Sequence, residues 1–93
     1  MIFEWDPIKA NKNEIKHGVS FDEAKTVFDD EYAHELYDEG HSEYEDRFTI
    51  IGMSIKYREL FVCYCERNDS AIRIISARKA KQEEIKTYRR YRT

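Results

Sequence analysis

The chain opens on the alternation Ile2-Phe3-Glu4-Trp5, which predicts a short strand. Asp6-Pro7 follows as a helix start, with Asp as N-cap and Pro at the first helical position. That helix is expected from Pro7 to about Lys16, ended by Gly18 at the left-handed C′ position. Ser20-Phe21-Asp22-Glu23 has the spacing of a capping box, with Val19 and Ala24 at the two staple positions. A second helix over about 21–28 then buries Ala24, Val27 and Phe28.

The pattern changes period after that. Residues 31–37 read as a strand, and residues 38–46 as an acidic loop. Arg47 to Met53 is a strand in which Gly52 suggests a bulge. Ser54 to Arg58 turns the chain, and Glu59–Arg67 and Ala71–Arg78 form a hairpin about a tight Asn68-Asp69 turn. Lys79 to Tyr91 is rich in good helix formers and closes the chain as a helix. The order β-α-α-β-β-β-β-α predicts an α+β fold. It consists of a small antiparallel sheet of about four to five strands, two N-terminal helices and one C-terminal helix, with the helices on one side. Ninety-three residues accommodate one domain, residues 1–93, built on one core.

Charge refines this picture. The formal net charge is −3, but residues 1–46 hold four Lys and no Arg against fourteen acids, a balance of −10. Residues 47–93 hold twelve Lys and Arg against five acids, a balance of +7, and include all eight arginines. Such asymmetry suits one surface for a polyanion and another that repels it or meets a basic partner; interleaving of the halves into an evenly charged surface is the alternative. Cys63 and Cys65 stand two apart on a strand, too far for relaxed disulfide geometry, so a reducing compartment is expected. The N-terminus lacks the basic and apolar regions of a signal peptide, and no run is long enough to cross a bilayer. A cytoplasmic protein without membrane contact is expected.

A two-residue turn at Asn68-Asp69 would set Arg67 opposite Ser70, Tyr64 opposite Arg73 and Glu59 opposite Arg78. Tyr64, Glu66 and Arg73 would then share one sheet face, a grouping that a one-residue slip would break. The plainer reading is an aromatic and an ion pair on a solvated face. His34 and His41 lie seven apart, and the two cysteines match no common zinc spacing, so no metal and no cofactor is expected. There is no phosphate-cradling glycine loop or serine-nucleophile elbow.

Several strings together resemble those of BrnT-type toxins. They are Phe3-Glu4-Trp5-Asp6, Asn13 to Ala24 with its Lys16-His17-Gly18-Val19, Val27-Phe28-Asp29-Asp30, and Arg47-Phe48-Thr49-Ile50-Ile51-Gly52. Glu66-Arg67, Ile72 to Ala80 with its Ile74-Ile75-Ser76-Ala77-Arg78, Glu84 and Tyr88 complete the set, which is weakest across residues 38–46. The resemblance implies a RelE-like fold and a ribonuclease toxin of a type II toxin–antitoxin system. It also implies neutralisation by a BrnA-type antitoxin, with two toxins expected per antitoxin dimer and operator DNA contacted only through the antitoxin.

Cutting RNA without a metal needs a base for the ribose 2′-hydroxyl, an acid for the leaving oxygen, and cations around the phosphate. Arginine suits the last task because its planar fork donates paired hydrogen bonds. Arg67, Arg73 and Arg78 are the phosphate-binding candidates and Glu66 the candidate base, with Lys16 and His17 as further acid–base candidates. Tyr64, Arg47, Tyr88 and Arg89 are candidate RNA contacts. Duller roles compete: Arg78 pairing with Glu59, His17 capping its helix C-terminus, and Tyr88 packing on the sheet. The rival function is a non-catalytic protein- or RNA-binding module on the same fold.

Overall fold

The computed structural model describes residues 1–67 and 70–92. The proposed Asn68-Asp69 turn itself lies outside the described residues. Strands β1 (Ile2–Glu4), β2 (His34–Tyr37), β3 (Arg47–Met53), β4 (Glu59–Glu66) and β5 (Ala71–Lys79) form one sheet in the order β1-β5-β4-β3-β2. Helices α1 (Pro7–His17) and α2 (Phe21–Ala24) precede β2, a 3-10 turn Lys25–Asp29 extends α2, and α3 (Gln82–Arg92) closes the fold. The α+β architecture expected from the pattern is present, with two refinements. β2 to β5 are antiparallel to their neighbours, but β1 joins β5 in parallel. The helices also divide: α1 and α2 cover one face, while α3 reaches Glu59, Arg78 and His34 on the other.

Local signals account for most boundaries. Asp6 Oδ1 accepts hydrogen bonds from the Ile8 and Lys9 N–H groups at 2.8 and 3.4 Å, and Gly18 ends α1 at φ 69°. Ser20 Oγ accepts from Glu23 N–H at 3.0 Å, as the capping box requires. Glu23 departs from it, for its carboxylate turns inward to Ser54 and Arg58 instead of back to Ser20. Gly52 makes no bulge. A Cβ there would stand 2.8 Å from Val27 Cγ1, so the missing side chain lets the 3-10 turn lie against β3.

The bulge is in β5. Tyr64 pairs with Ile74 and Cys63 with Ser76, leaving Ile75 as the extra residue. Three residues, not two, separate Arg67 from Ala71, whose carbonyl accepts the Arg67 N–H at 2.8 Å. Both departures shift the expected register. Arg73 stands opposite Cys65 and Arg78 opposite Phe61, so Arg73 does not share a face with Tyr64 and Glu66. Across the bulge Ile72, Ile74 and Ala77 still all reach the core, with Val19, Phe21, Ala24, Val27, Ile50, Leu60, Val62 and Tyr64.

β1 pairs only with Ala71–Arg73, so the rest of the β5 edge needs another partner. Asn13 of α1 supplies it. Its Oδ1 accepts the Ala77 N–H at 3.1 Å, and its Nδ2 donates to Ala77 O at 2.8 Å and Val19 O at 3.0 Å. One buried amide thus mimics a neighbouring strand. At the opposite side β3 outruns β2, and side chains take its two terminal donors: Asp30 Oδ2 accepts Met53 N–H at 2.8 Å and Ser42 Oγ accepts Arg47 N–H at 3.0 Å.

Glu23 is 3% exposed, and Arg58 donates to it from both Nε and Nη2 while Ser54 Oγ donates at 2.7 Å. The Arg58 bond outweighs burial and holds the Glu23 carboxyl below its ordinary 4.5. The stability from this pair is therefore complete above pH 4.5 and is lost as pH falls through the depressed value. Arg58→Ala should cost about 3 kcal/mol at pH 7 by leaving a buried carboxylate alone, and the deficit should shrink towards pH 3 in urea titrations. For Asn13→Ala a loss of about 2 kcal/mol is expected, since three backbone groups lose their partner. Asn13→Asp should do no better at pH 7, because its carboxylate would face two carbonyl oxygens. Chemical denaturation of both variants provides the measurement.

Candidate functional site

The sheet face opposite α1 and α2 is laid out in cross-strand rows. At the end nearest the β4–β5 connection the row reads Arg47, Cys65, Arg73 and Glu4, from β3 to β1. The next reads Leu36, Thr49, Cys63 and Ser76, and the third His34, Ile51, Phe61 and Arg78. Helix α3 is fastened at the third row and beyond. Glu84 accepts two 2.8 Å bonds from Arg78, whose guanidinium also lies 4.3 Å over the Phe61 ring. Arg89 donates to both oxygens of Glu59, and Tyr91 stacks on His34 with ring centroids 4.2 Å apart. Among the described residues, the side-chain hydrogen bonds and ring contacts that tie α3 to this sheet face fall on the third row and beyond it.

Three arginines gather at the first row, around a Cys65 that is itself fully buried. Arg47 and Arg73 flank Cys65 in its own row, and Arg67 follows directly after the end of β4, near enough for its charge to act on the Cys65 thiol. The thiol registers two of them. Burial pushes the Cys65 pKa up, with Glu45 adding to the rise, while the charges of Arg67 and Arg47 pull it the other way. Arg73 donates to Glu4 at 3.2 Å and Arg47 to Glu45 at 3.3 Å, both half-exposed pairs that a phosphate could displace. Among the described residues Arg67 has no acidic partner within 4 Å. Glu66 points to the opposite face but lines, with Arg67, Phe48 and Tyr44, a hollow of about 540 Å³ around the end of β4.

A second basic surface adjoins this one across the β5 edge. Lys9, Lys12, Lys16 and His17 on α1 border a groove floored by Ile75 and Ser76, the residues of the bulge. Ser76 is three residues from Arg73 along β5, roughly 10 Å. Lys9, Lys12 and Lys16 recur at i, i+3 and i+7, a spacing that alone marks one helical stripe. That signal was available in the sequence, but only the packing of α1 on β5 shows which surface the stripe adjoins.

The expected site residues thus separate into groups. Arg47, Arg67 and Arg73 come together, Glu66 borders them, and Lys16 and His17 lie on the adjoining groove. Arg78 and Arg89 are engaged in holding α3, and Arg78 pairs with Glu84 where Glu59 was expected. Two aromatic assignments need correction. Tyr64 is fully buried, stacked 5.5 Å from Phe48 and edge-on to Phe28, so its ring is not open to a base. Its hydroxyl has no hydrogen-bond partner among the described residues. Tyr88 is 1% exposed and donates to Asp30 Oδ2 at 2.6 Å, so packing decides its position; burial and that bond push its phenol up to about 12. Among the described residues no three His, Cys, Asp or Glu side chains gather as metal ligands, and no helix is long and apolar enough to cross a membrane.

Comparison with known proteins bears on the fold and the family. No curated protein matches the chain. Among solved structures, the ribonuclease toxin BrnT of Brucella abortus superposes with a TM-score of 0.67 at 22% identity, over 88% of this chain and 100% of that one, which establishes a common fold. Residues 5–84 match the family described as ribonuclease toxin, BrnT, of type II toxin–antitoxin systems. With most of its length inside that match, the chain belongs to the BrnT family of ribonuclease toxins.

Proposed function

We propose that this protein is a metal-independent endoribonuclease acting on cellular RNA in the cytoplasm, with its active site among the arginines that surround the buried Cys65. The observation that carries the reading is the gathering of Arg47, Arg67 and Arg73 around Cys65, away from the bonds that fasten α3. In the cleavage step the ribose 2′-oxygen loses its proton, attacks the adjacent phosphorus, and the bond to the 5′-oxygen breaks as that oxygen is protonated. The products are a 2′,3′-cyclic phosphate and a 5′-hydroxyl. No water or metal enters that balance. The arginines neutralise the charge that grows on the phosphoryl oxygens, a task worth roughly 10²–10³-fold per well-placed donor. Glu66, at the rim, is assigned as the base, and Lys16 or His17 supplies the leaving-group proton from the adjoining groove.

The lysine stripe of α1 gives the substrate strand a second bank of cations beyond the scissile bond. Inhibition of translation and growth follows from cleavage of mRNA. A BrnA-type antitoxin is assigned as the neutralising partner, in a complex of two toxins on an antitoxin dimer that contacts operator DNA through the antitoxin alone.

RNA incubated with the purified chain should be cut equally well in EDTA. The Arg67→Ala, Arg73→Ala double variant should lose at least 10³-fold in single-turnover cleavage while keeping its thermal midpoint within a few degrees. Undiminished cleavage by that variant would remove the assignment of the site. Lys9→Ala combined with Lys12→Ala should instead weaken RNA binding and lower the slope of log K against log salt by about 1.4, as expected for two lost phosphate contacts on a single strand. Fluorescence anisotropy across a salt series measures this, and an unchanged slope would take the α1 groove out of the RNA path.

A further inference from the structure

Residues 29–46 contain nine acids and no lysine or arginine. They build one margin of the sheet, where β2 is the edge strand and pairs only with β3. The Asp38 N–H donates to Arg47 O at 2.8 Å, so by antiparallel alternation the N–H groups of Leu36 and His34 also face β3. Those of Glu35 and Tyr37 then face outward together with their carbonyls, and none of these four groups has a protein partner among the described residues. Leu36 is 52% exposed and Tyr37 48%. At the opposite margin the edge strand is β1, only three residues long, whereas among the described residues no strand or side chain pairs with the outer side of β2. An uncovered edge with apolar side chains is a template for another strand unless the protein manages it.

We propose that this edge docks a basic, extended segment of a protein partner, which adds to the sheet as a sixth strand beside Glu35–Tyr37. The proposal rests on the toxin–antitoxin reading only in requiring that a protein partner exists. Charge selects the occupant. A second copy of the chain would set Glu35 and its acidic neighbours against themselves, and like charges facing across strands are destabilising. RNA meets the same repulsion, which confines it to the arginine face. A segment alternating basic and apolar residues meets both demands: its cations lie on the Glu35 side and its apolar residues on the Leu36 side.

The test uses the whole chain and the peptide acetyl-(Lys-Val)₄-amide, with acetyl-(Glu-Val)₄-amide as counterpart, followed by amide NMR. The lysine peptide should shift the Glu35 and Tyr37 amides and slow their hydrogen exchange at least tenfold at saturation, while the glutamate peptide leaves them unmoved. Tyr37→Pro removes one outward donor, together with the ring contact to Phe48 and the bond to Asp46, and leaves the backbone bonds to β3, and proline is tolerated at such edge positions. It should weaken peptide binding at least tenfold, as should Glu35→Lys, a variant that keeps the strand's backbone donors. Perturbations mapping to another surface, equal binding of the glutamate peptide, or full binding by both variants would overturn the proposal. So would a free chain that sediments as a dimer through this edge and becomes monomeric on Tyr37→Pro. RNA cleavage is followed in parallel. Cleavage without peptide docking would remove this proposal alone, and docking without cleavage would remove the ribonuclease reading alone.

Discussion

The extra residue in β5 governs how this small sheet divides its labour. Without Ile75 as a bulge, strict alternation would put Ile72, Ile74, Ser76 and Arg78 on one face, driving a guanidinium into the apolar core. Resetting the alternation once lets Ile72, Ile74 and Ala77 face α1 and α2 while Arg73, Ser76 and Arg78 all face the other way. One inserted residue therefore separates a packed face from a cationic one within nine positions of a single strand. The two arginines then take different fates. Arg78 falls under α3 and is held by Glu84 in a paired hydrogen bond. Arg73 stands two rows away with only a half-exposed bond to Glu4.

Much of this fold was legible in the sequence because its signals are local. Asp6, Pro7 and Gly18 bracket α1, Ser20 starts α2, and the run Arg47–Met53 is the observed β3. What escaped was set by contacts between distant segments. The parallel seat of β1 on β5 has no periodic signature. The bulge at Ile75 has none either, because an apolar residue between isoleucine and serine reads as ordinary strand. Gly52 shows the same limit from the other side: glycine in a strand permits several explanations, and only the position of Val27 decides for close packing.

The candidate site followed the same division. Arginine was legible as a type, since its clustering in the second half of the chain and its fitness for phosphate need no coordinates. Which arginines meet was not, because register decides it. Arg47 proved closer to the centre of the group than Arg78, and Tyr64 and Tyr88 were claimed by the interior. The acidic segment lay in the same category. Its composition was plain from the outset, but its place along an unclosed sheet margin depended on the strand order.

One carboxylate has a wider reach than its size suggests. Asp30 takes the last donor of β3 from Met53, the Tyr32 N–H, and the Tyr88 hydroxyl of α3. Burial works to raise its pKa, yet these bonds, with the charge of Arg92, hold it below the usual range. The same carboxylate oxygen thus finishes the rim of β3 and anchors the C-terminal helix, so departure of the helix would strip that oxygen of one of its two donors and couple the cover of the sheet to the margin beside it.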